Sequence, residues 1–451
     1  MPNIGLALSG GGNRASVFNL GVLLYLADAG KNTDVRSIAS VSGGSVTNGY
    51  VAQLGNYDRV TATKFRIGIM PLIARLGSKG TLWAWWGTWL YLAWMILNVL
   101  AIVAIAFIPW NSLPVRLLIS LIAFAVVGKM GFEKRGAVCG RAFASTLYSP
   151  NGKATRLSET GSVLIDHVFC ATDLHAGEHI YFSGNFICSF RFGWGTPANL
   201  PLHVAVQASA AFPGAFPPRI LATGPHRFRD GKHRSRFMFL QDGGAYDNMA
   251  EQWPMGIRNR KERWPGHARD LVELDEVVVV NASTNMRWEP INRLLIPVIN
   301  EVLAMKRVID VLYDNTTTVR RRFLMSEFDI AEKSGGTPRG TLVMLEQSPF
   351  RVPSAFLRDE EHWPARAARA RVALASLGDT QDSWNEIVRL NCAVPTTFRS
   401  LGNEVVARLL YQAYVTAMCN LHVILGYPLL SIPQLADFEA LVTEASQTAD
   451  A

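Results

Sequence analysis

The sequence predicts a three-layer α/β/α fold, in which helices cover both faces of a mostly parallel central sheet and a hydrophobic helical hairpin is inserted. Two strand–glycine–helix units carry the prediction of the sheet. In the first, the apolar run Ile4–Leu8 is followed by three glycines and by the helix-like segment Ala15–Ala29. In the second, the run Val35–Val41 leads through small residues into another helix-like segment. Two such units so close together are typical of parallel sheets whose strands are joined by helices.

Further apolar runs in the second half of the chain predict the other strands and the long helices. Short apolar runs bounded by turn residues are typical of buried strands, and longer periodic runs are typical of helices. The predicted strands are Val163–Cys170, His179–Phe182, Phe237–Leu240, Val277–Asn281 and Leu342–Leu345, and the predicted long helices are Ile291–Tyr313 and Glu404–Ile424.

A hydrophobic segment interrupts the α/β pattern. Residues 80–115 carry no charged side chain, and Leu82–Ile108 is almost continuously apolar. As a helix this run would be about 40 Å long, enough to cross a hydrocarbon core of roughly 30 Å. After a proline-rich turn, Val115–Gly128 is a second apolar run that is short for a span. We expect a hairpin over residues 80–130 that spans or dips into a membrane; the alternative is a buried hairpin or hydrophobic cap of a soluble protein.

The expected domain organisation follows from this insertion. The α/β domain has a first part at 1–75 and a second part at 140–425, and a C-terminal tail covers 426–451. The polar end from about Thr443 is expected to fray. Lysine and arginine residues flank both outer ends of the hairpin. The positive-inside rule therefore predicts a membrane protein whose α/β parts lie on the cytoplasmic side.

Composition narrows the class of protein. The chain has 451 residues, of which 49% are hydrophobic and 18% charged, so one large α/β domain with insertions can bury its core. The net charge of +8 fits attraction to anionic lipid headgroups or a plain basic surface. Nucleic acid is not expected as a partner, because no recognisable nucleic-acid module accompanies the charge. Five widely spaced cysteines without a C-x-x-C pair predict neither a disulfide framework nor a zinc site.

The second unit contains a candidate nucleophile. In Ser40-Val41-Ser42-Gly43-Gly44, a strand turns sharply into a helix through small residues, which leaves Ser42 exposed at the elbow. The helix N-terminus beneath it favours negative charge on an attacking oxygen. The usual elbow has glycine at the first position, where this chain has Ser40. The alternative is a serine that merely caps an ordinary helix.

The first unit contains a candidate oxyanion hole. Three glycines at 10–12 between a strand and a helix let backbone N–H groups converge on an anion. A phosphate-binding P-loop would require a following Lys-Ser/Thr, and a dinucleotide site would require other glycine spacing. An oxyanion hole built from the amides of Gly11 and Gly12 fits better. We expect Gly10, Asn13 and Arg14 to support this loop, Arg14 either by fixing it or by forming a salt bridge.

A carboxylate and a pair of histidines complete the set of candidates. Asp242, followed by Gly243 and Gly244, ends an apolar strand at a tight turn. Asp-Gly is commonly only a turn, but the carboxyl ends of several strands meet at one edge of an open sheet. Asp242, Ser42 and the glycines can therefore converge. His175 and His179 have the spacing of a helical metal pair, but the surrounding turn pattern favours ordinary polar roles, and no metal is expected.

Together these motifs resemble the patatin-like phospholipase family. The resemblance rests on G-G-G-N-R-A at 10–15, S-V-S-G-G at 40–44 and D-G-G at 242–244. Further landmarks are A-T-D-L at 171–174, A-S-A-A-F-P at 208–213, Asn248 and V-P-T-T-F at 394–398. Ser40 and Ala15 stand where the family pattern has glycine.

The resemblance implies a Ser–Asp dyad that needs no cofactor. Asp242 takes the proton of Ser42, which attacks an acyl ester, while Gly11 and Gly12 hold the oxyanion and Gly43 and Gly44 shape the elbow. Water then releases the fatty acid from the acyl-enzyme. The leading hypothesis is a membrane-tethered phospholipase or lysophospholipase. The alternatives are an acyltransferase on the same scaffold and a catalytically silent membrane-associated binding protein, and a homo-oligomer or a regulatory partner stays open in each case.

Overall fold

The computed structural model describes residues 1–162, 164–286 and 297–450. The strands are β1 Ile4–Leu8, β2 Val35–Ser40, β3 Asp166–Asp173, β4 Glu178–Ser183, β5 Ile187–Ser189, β6 Gly193–Gly195, β7 Arg219–Ala222, β8 Arg229–Asp230, β9 Phe237–Asp242, β10 Glu276–Asn281 and β11 Arg339–Met344. The helices of the first half are α1 Gly12–Asp28, α2 Gly43–Leu54, α3 Ala62–Ala74, α4 Trp86–Phe107, α5 Leu113–Thr146 and α6 Leu202–Ser209. The helices of the second half are α7 Gln252–Met255, α8 Ile257–Arg263, α9 Pro297–Ser334, α10 Arg351–Arg358, α11 Pro364–Leu377, α12 Gln381–Cys392, α13 Asn403–Leu425 and α14 Leu435–Asp450.

The sheet has a parallel centre and an antiparallel extension. Strands β11, β10, β1, β2 and β3 lie side by side in that order, and every neighbouring pair is parallel. Beyond β3 the sheet continues through the antiparallel strands β4, β5, β6 and β8. The parallel centre confirms the fold class that the two strand–glycine–helix units predict. The antiparallel extension was not predicted as such.

Helices cover both faces of this sheet. Because side chains alternate along a strand, Leu6 and Leu8 of β1 enter a core that they share with α1 and α13, whereas Ala7 enters a second core. The second core contains Trp253 of α7 and Phe328 of α9. Both sets of side chains are almost completely buried. The three predicted layers are therefore present.

Strands β2 and β9 share one edge of β3, whose other edge is occupied by β4. Strand β2 is parallel to β3 and pairs with its first half, while β9 is antiparallel and pairs with its second half. Ser40 lies opposite Phe169, and Asp242 lies opposite Ala171. The carboxyl ends of β2 and β9 therefore meet head to head, on either side of the position of Cys170.

The predicted hydrophobic hairpin consists of α4 and α5. Both helices are long and apolar enough to cross a membrane, and the most apolar stretch of α4 has no buried side chain. The two helices contact each other through hydrogen bonds: the Tyr91 hydroxyl donates to the Gly131 carbonyl at 2.7 Å, and Ser120 Oγ donates to the Ile102 carbonyl at 3.2 Å. Because the apolar side chains of α4 point outward, α4 is not a core helix of the α/β domain.

Helix α5 is much longer than the apolar run Val115–Gly128 suggested. It continues to Thr146, and its last turns bury Cys139, Ala142 and Phe143 in the α/β domain. The charged residues after Gly128 do not end the helix, because small and apolar residues keep one of its faces packed. The helix thus continues without a break from the hairpin into the α/β domain.

The C-terminal segment also differs from the expectation. The prediction of a frayed end from about Thr443 is wrong, because α14 extends to Asp450 and contacts α3 and α13. Phe438, Leu441, Val442 and Ala445 are buried at helical spacing, a pattern that the polar residues between them obscured. Of the other predicted elements, Val163 and Ile291 lie outside the described residues.

Candidate active site

Ser42 occupies a strained elbow between β2 and α2. Its φ of 50° and ψ of −117° lie in a region that residues other than glycine rarely adopt. Such a backbone costs of order 1–3 kcal/mol, which is tolerated mainly at functional sites. Ser42 precedes α2, but its side chain makes no capping hydrogen bond to that helix. The geometry therefore matches a nucleophile elbow and not an ordinary serine cap.

Two glycines after Ser42 let the elbow pack against the glycine loop. A Cβ atom added to Gly43 would lie 2.1 Å from the Gly12 carbonyl oxygen, and one added to Gly44 would lie 2.4 Å from the Leu8 carbonyl oxygen. The Gly44 amide donates to the Ser9 carbonyl at 3.1 Å. No side chain fits between the two loops, so glycine is required by this contact.

Ser40, which departs from the family's glycine, is held in a buried hydrogen-bond network. Its Oγ donates to the Val168 carbonyl at 3.1 Å, lies 2.9 Å from Ser45 Oγ and accepts from Asn48 Nδ2 at 2.9 Å. Ser45 Oγ in turn lies 2.8 Å from Ser209 Oγ. The hydroxyl of Ser40 thus has hydrogen-bond partners, and serine in place of glycine at this position leaves the elbow intact.

The glycine loop has two backbone donors without a protein acceptor. Gly11 and Gly12 have φ values of 133° and 61°, which favour glycine. On either side of them, the Gly10 amide donates to the Asn248 carbonyl and the Asn13 amide to the Thr397 carbonyl. Within the described part of the chain, the amides of Gly11 and Gly12 make no hydrogen bond. These two N–H groups are available to a bound anion.

The C-terminal segment that follows α12 supports this loop from behind. Asn13 Nδ2 donates to the Arg399 carbonyl at 2.8 Å, and Arg14 Nη1 donates to the Val394 carbonyl at 2.6 Å. A Cβ atom added to Gly12 would lie 2.6 Å from the Thr397 carbonyl oxygen. Of the two roles considered for Arg14, the contact with Val394 corresponds to fixing the loop.

Asp242 is a buried carboxylate with one unused oxygen. Its side chain is only 1% exposed; Oδ1 accepts a hydrogen bond from the Gly244 amide at 2.8 Å, and Oδ2 has no hydrogen-bond partner among the described residues. Burial raises the pKa of Asp242 to about 7, against the opposing effects of the Gly244 amide and of Ser42. The Ser42 side chain is thus near enough to lower the pKa of Asp242, although no hydrogen bond of ordinary geometry joins them. Catalytic hydrogen bonds are often this loose before substrate binds.

The segment after α6 fixes the relative positions of Ser42 and Asp242. The Ser42 amide donates to the Ser209 carbonyl and the Asp242 amide to the Ala211 carbonyl, at 3.1 and 3.0 Å. Ser209 Oγ also accepts from the Ser42 amide and donates to the Cys170 carbonyl. This short segment therefore anchors the carboxyl end of β2 and the carboxyl end of β9. The sequence marked it as a family landmark but did not show this positioning role.

The two histidines occupy different environments. His175 lies in the turn after β3, whereas His179 is buried in β4, and its Nε2 donates to the Gly243 carbonyl at 3.0 Å. Burial lowers the pKa of His179, so it acts as a neutral donor to the turn beside Asp242. Over the described ranges, no group of His, Cys, Asp and Glu side chains has the arrangement of a metal site.

Comparison with known proteins defines the class. The family model for patatin-like phospholipases matches residues 6–252, which include the glycine loop, the elbow and the Asp242 turn. The chain therefore belongs to the patatin-like phospholipase family, a family of lipid ester hydrolases.

Two solved structures are distantly similar. Human GIVD cytosolic phospholipase A2 has 12% identity and a TM-score of 0.37, with 62% of this chain and 42% of that chain covered. VipD from Legionella pneumophila has 13% identity and a TM-score of 0.26, with 100% of this chain and 88% of that chain covered. The chain thus spans less than half of the human enzyme. The comparison with curated proteins gave no match.

Replacing Gly43 by alanine tests the contact between the elbow and the glycine loop. The new methyl group would collide with the Gly12 carbonyl, so we expect labelling of Ser42 by a fluorophosphonate to slow about tenfold or more. We also expect a lower Tm, since overpacking costs about 1–3 kcal/mol. Gly266→Ala is the control, because an added Cβ meets no atom within 4 Å there. Equal labelling rates in the two variants would contradict the proposed contact.

Proposed function

We propose that the protein is a membrane-anchored serine lipid acyl hydrolase that acts on phospholipids or lysophospholipids. The observation that carries the proposal is the strained Ser42 beside a buried Asp242 whose Oδ2 is unused. Strain is kept where a reactive side chain must be presented, and an unused buried oxygen is costly unless it has a chemical role.

The chemistry proceeds through an acyl-enzyme. As Ser42 Oγ adds to the ester carbonyl, its proton passes to Asp242 Oδ2, and the amides of Gly11 and Gly12 bind the oxyanion. The C–O bond then breaks, and the leaving alcohol takes the proton from Asp242. Water repeats these steps on the acyl-enzyme and releases the fatty acid. The raised pKa of Asp242 makes it a better base than an ordinary carboxylate near neutral pH.

The position of the hairpin supports a lipid substrate. Helix α5 packs against α6, whose end anchors Ser42 and Asp242. Near this contact, Arg135 Nη1 donates to the Gly214 carbonyl at 3.3 Å. The site therefore lies near the part of α5 that leaves the hairpin and packs against the α/β domain. In a membrane-inserted hairpin with basic outer ends, this arrangement brings the site to the cytoplasmic lipid surface.

Release of fatty acid from phospholipid and lysophospholipid vesicles by the purified chain tests the function. We expect release that stops when a fluorophosphonate labels the protein, with the label on Ser42. If new esters form when lipid or alcohol acceptors are added, the acyltransferase alternative holds instead. Folded protein that neither labels nor hydrolyses would favour the silent binding protein.

Replacing Trp86–Gly128 by a short glycine–serine linker tests the anchor. We expect the variant to remain in solution without detergent, because the exposed apolar side chains of α4 and of the first half of α5 are removed. Hydrolysis of vesicle lipid should fall at least about tenfold, since tethering no longer raises the local substrate concentration. Hydrolysis of a short-chain soluble ester should be retained and serves as the control for folding. Unchanged membrane partitioning would contradict the anchor.

A further inference from the structure

Tyr313 of helix α9 lies against the turn that carries Asp242. Its Cε1 atom would be 3.0 Å from a Cβ added to Gly244, and its ring packs against Phe212 with centroids 5.9 Å apart. Phe212 directly follows the segment that anchors the Ser42 and Asp242 amides. The ring is thus fixed between the base and the anchor of the nucleophile.

The hydroxyl group of Tyr313 has no evident structural use. It is buried and has no hydrogen-bond partner among the described residues, and the same holds for the neighbouring Asp242 Oδ2. A buried polar group without a partner is destabilising, so phenylalanine would serve packing better at this position. The Tyr313 hydroxyl and Asp242 Oδ2 are thus two polar atoms that the fold leaves unused near the Asp242 turn.

The electrostatics keep this phenol neutral. Burial, and after it the negative charge of Asp242, raise the pKa of Tyr313 above its ordinary value. Tyr313 therefore holds its proton at any physiological pH. It can donate a hydrogen bond to an oxygen that gains negative charge, but it cannot act as a base.

We propose that the Tyr313 hydroxyl donates a hydrogen bond to the leaving alkoxy oxygen of the scissile ester. This inference rests on the proposed hydrolase function. The carbonyl oxygen is bound by the amides of Gly11 and Gly12, whereas Tyr313 lies on the side of Asp242, which protonates the leaving oxygen. As the C–O bond breaks, the alkoxy oxygen receives the proton that Asp242 took from Ser42. Tyr313 stabilises the developing charge and keeps its own proton.

Tyr313→Phe, assayed on two esters of the same fatty acid, tests this role. The glycerol ester has a poor leaving group that needs stabilisation, whereas the p-nitrophenyl ester leaves readily without it. We expect kcat/KM for the glycerol ester to fall about 10- to 100-fold, mainly through kcat, as for a lost hydrogen bond to a charged group. The p-nitrophenyl ester should change less than about threefold. A merely structural role would affect both esters alike.

Tyr411→Phe is the matched control, because Tyr411 lies on α13 and its ring stacks on Trp384 of α12 and not on the Asp242 turn. It should leave both rates unchanged. Fluorophosphonate labelling and the Tm of Tyr313→Phe establish that this variant is folded. Equal losses on both esters, or no loss on the glycerol ester, would overturn the role of Tyr313 while leaving the hydrolase function in place. A wild type that hydrolyses neither ester would instead overturn the proposed function, and this inference with it.

Discussion

Ser42→Ala should lower the release of fatty acid from phospholipid vesicles by at least about 1,000-fold, as expected when a nucleophile is removed. Ser42 lies in the turn directly before α2, and the Gly43 backbone that follows it packs against Gly12 of the glycine loop. Alanine keeps the backbone but offers no oxygen for an acyl-enzyme. Lipidomics of cells that express the variant or the wild type would report both the loss and the substrate consumed.

The matched control for this result is Ser376→Ala. Ser376 is exposed on α11, and its hydroxyl donates only to the Val372 carbonyl one turn earlier. The Ser376→Ala variant should hydrolyse lipid at the wild-type rate. Hydrolysis retained by Ser42→Ala would rule out Ser42 as the nucleophile, and with it the proposed acyl-enzyme.

Asp242→Asn should abolish turnover to a similar extent while making the protein more stable. Asparagine retains the shape and the acceptor for the Gly244 amide, but it cannot take a proton from Ser42. The gain in stability follows from burial, because a carboxylate without solvent is costly and a neutral amide is less so. Activity and the free energy of unfolding should therefore change in opposite directions.

The pH dependence of both quantities tests this reasoning. The pKa of Asp242 is about 7 in the folded chain, against roughly 3.9 for an unperturbed aspartate. Between these values the folded chain keeps a proton that the unfolded chain has released, so this residue lowers stability as the pH rises towards 7. The free energy of unfolding of Asp242→Asn should exceed that of the wild type by on the order of a few kcal/mol at pH 8 and by little near pH 4. In the wild type, kcat/KM should rise through about pH 7 as the base ionises.

Urea unfolding at the two pH values, together with a pH–rate profile on a soluble ester, measures these effects. The neighbouring residue Gln241 is unsuitable as a control position, because its side chain donates a hydrogen bond to the Ala211 carbonyl of the segment that anchors Ser42 and Asp242. Asp437→Asn on the remote helix α14 is better suited, and its pH dependence should follow that of the wild type. An Asp242→Asn variant that is equally active, or that is less stable at pH 8, would contradict the assignment of the base.

Local patterns in the sequence predicted the fold centre and named most of the residues that the structure brings together in the candidate site. Buried parallel strands appear as short apolar runs, and Gly12, Gly43 and Gly44 are required by close contacts with backbone atoms of neighbouring segments. The head-to-head approach of β2 and β9 could not be predicted in this way. It depends on which edge of β3 each strand takes, and no local pattern in the sequence records that choice.

Tyr313 could not be predicted either, for a related reason. The sequence of α9 has an ordinary mixture of polar and apolar residues. Nothing in the residues that flank Tyr313 indicates that it lies near a carboxylate. The link appears only when α9 packs over the turn at Gly244. A residue that contacts a turn from a neighbouring layer carries no short motif, whereas residues at strand ends do.

The positions of β2 and β9 along the chain also determine the order in which the candidate site is synthesised. Strand β2 and Ser42 leave the ribosome first, the hairpin follows, and β9 with Asp242 emerges about 200 residues after Ser42. If Ser42 and Asp242 act as proposed, the nascent chain carries Ser42 without Asp242 for as long as α4 and α5 are being made. The candidate site is therefore complete only after both apolar helices have been translated.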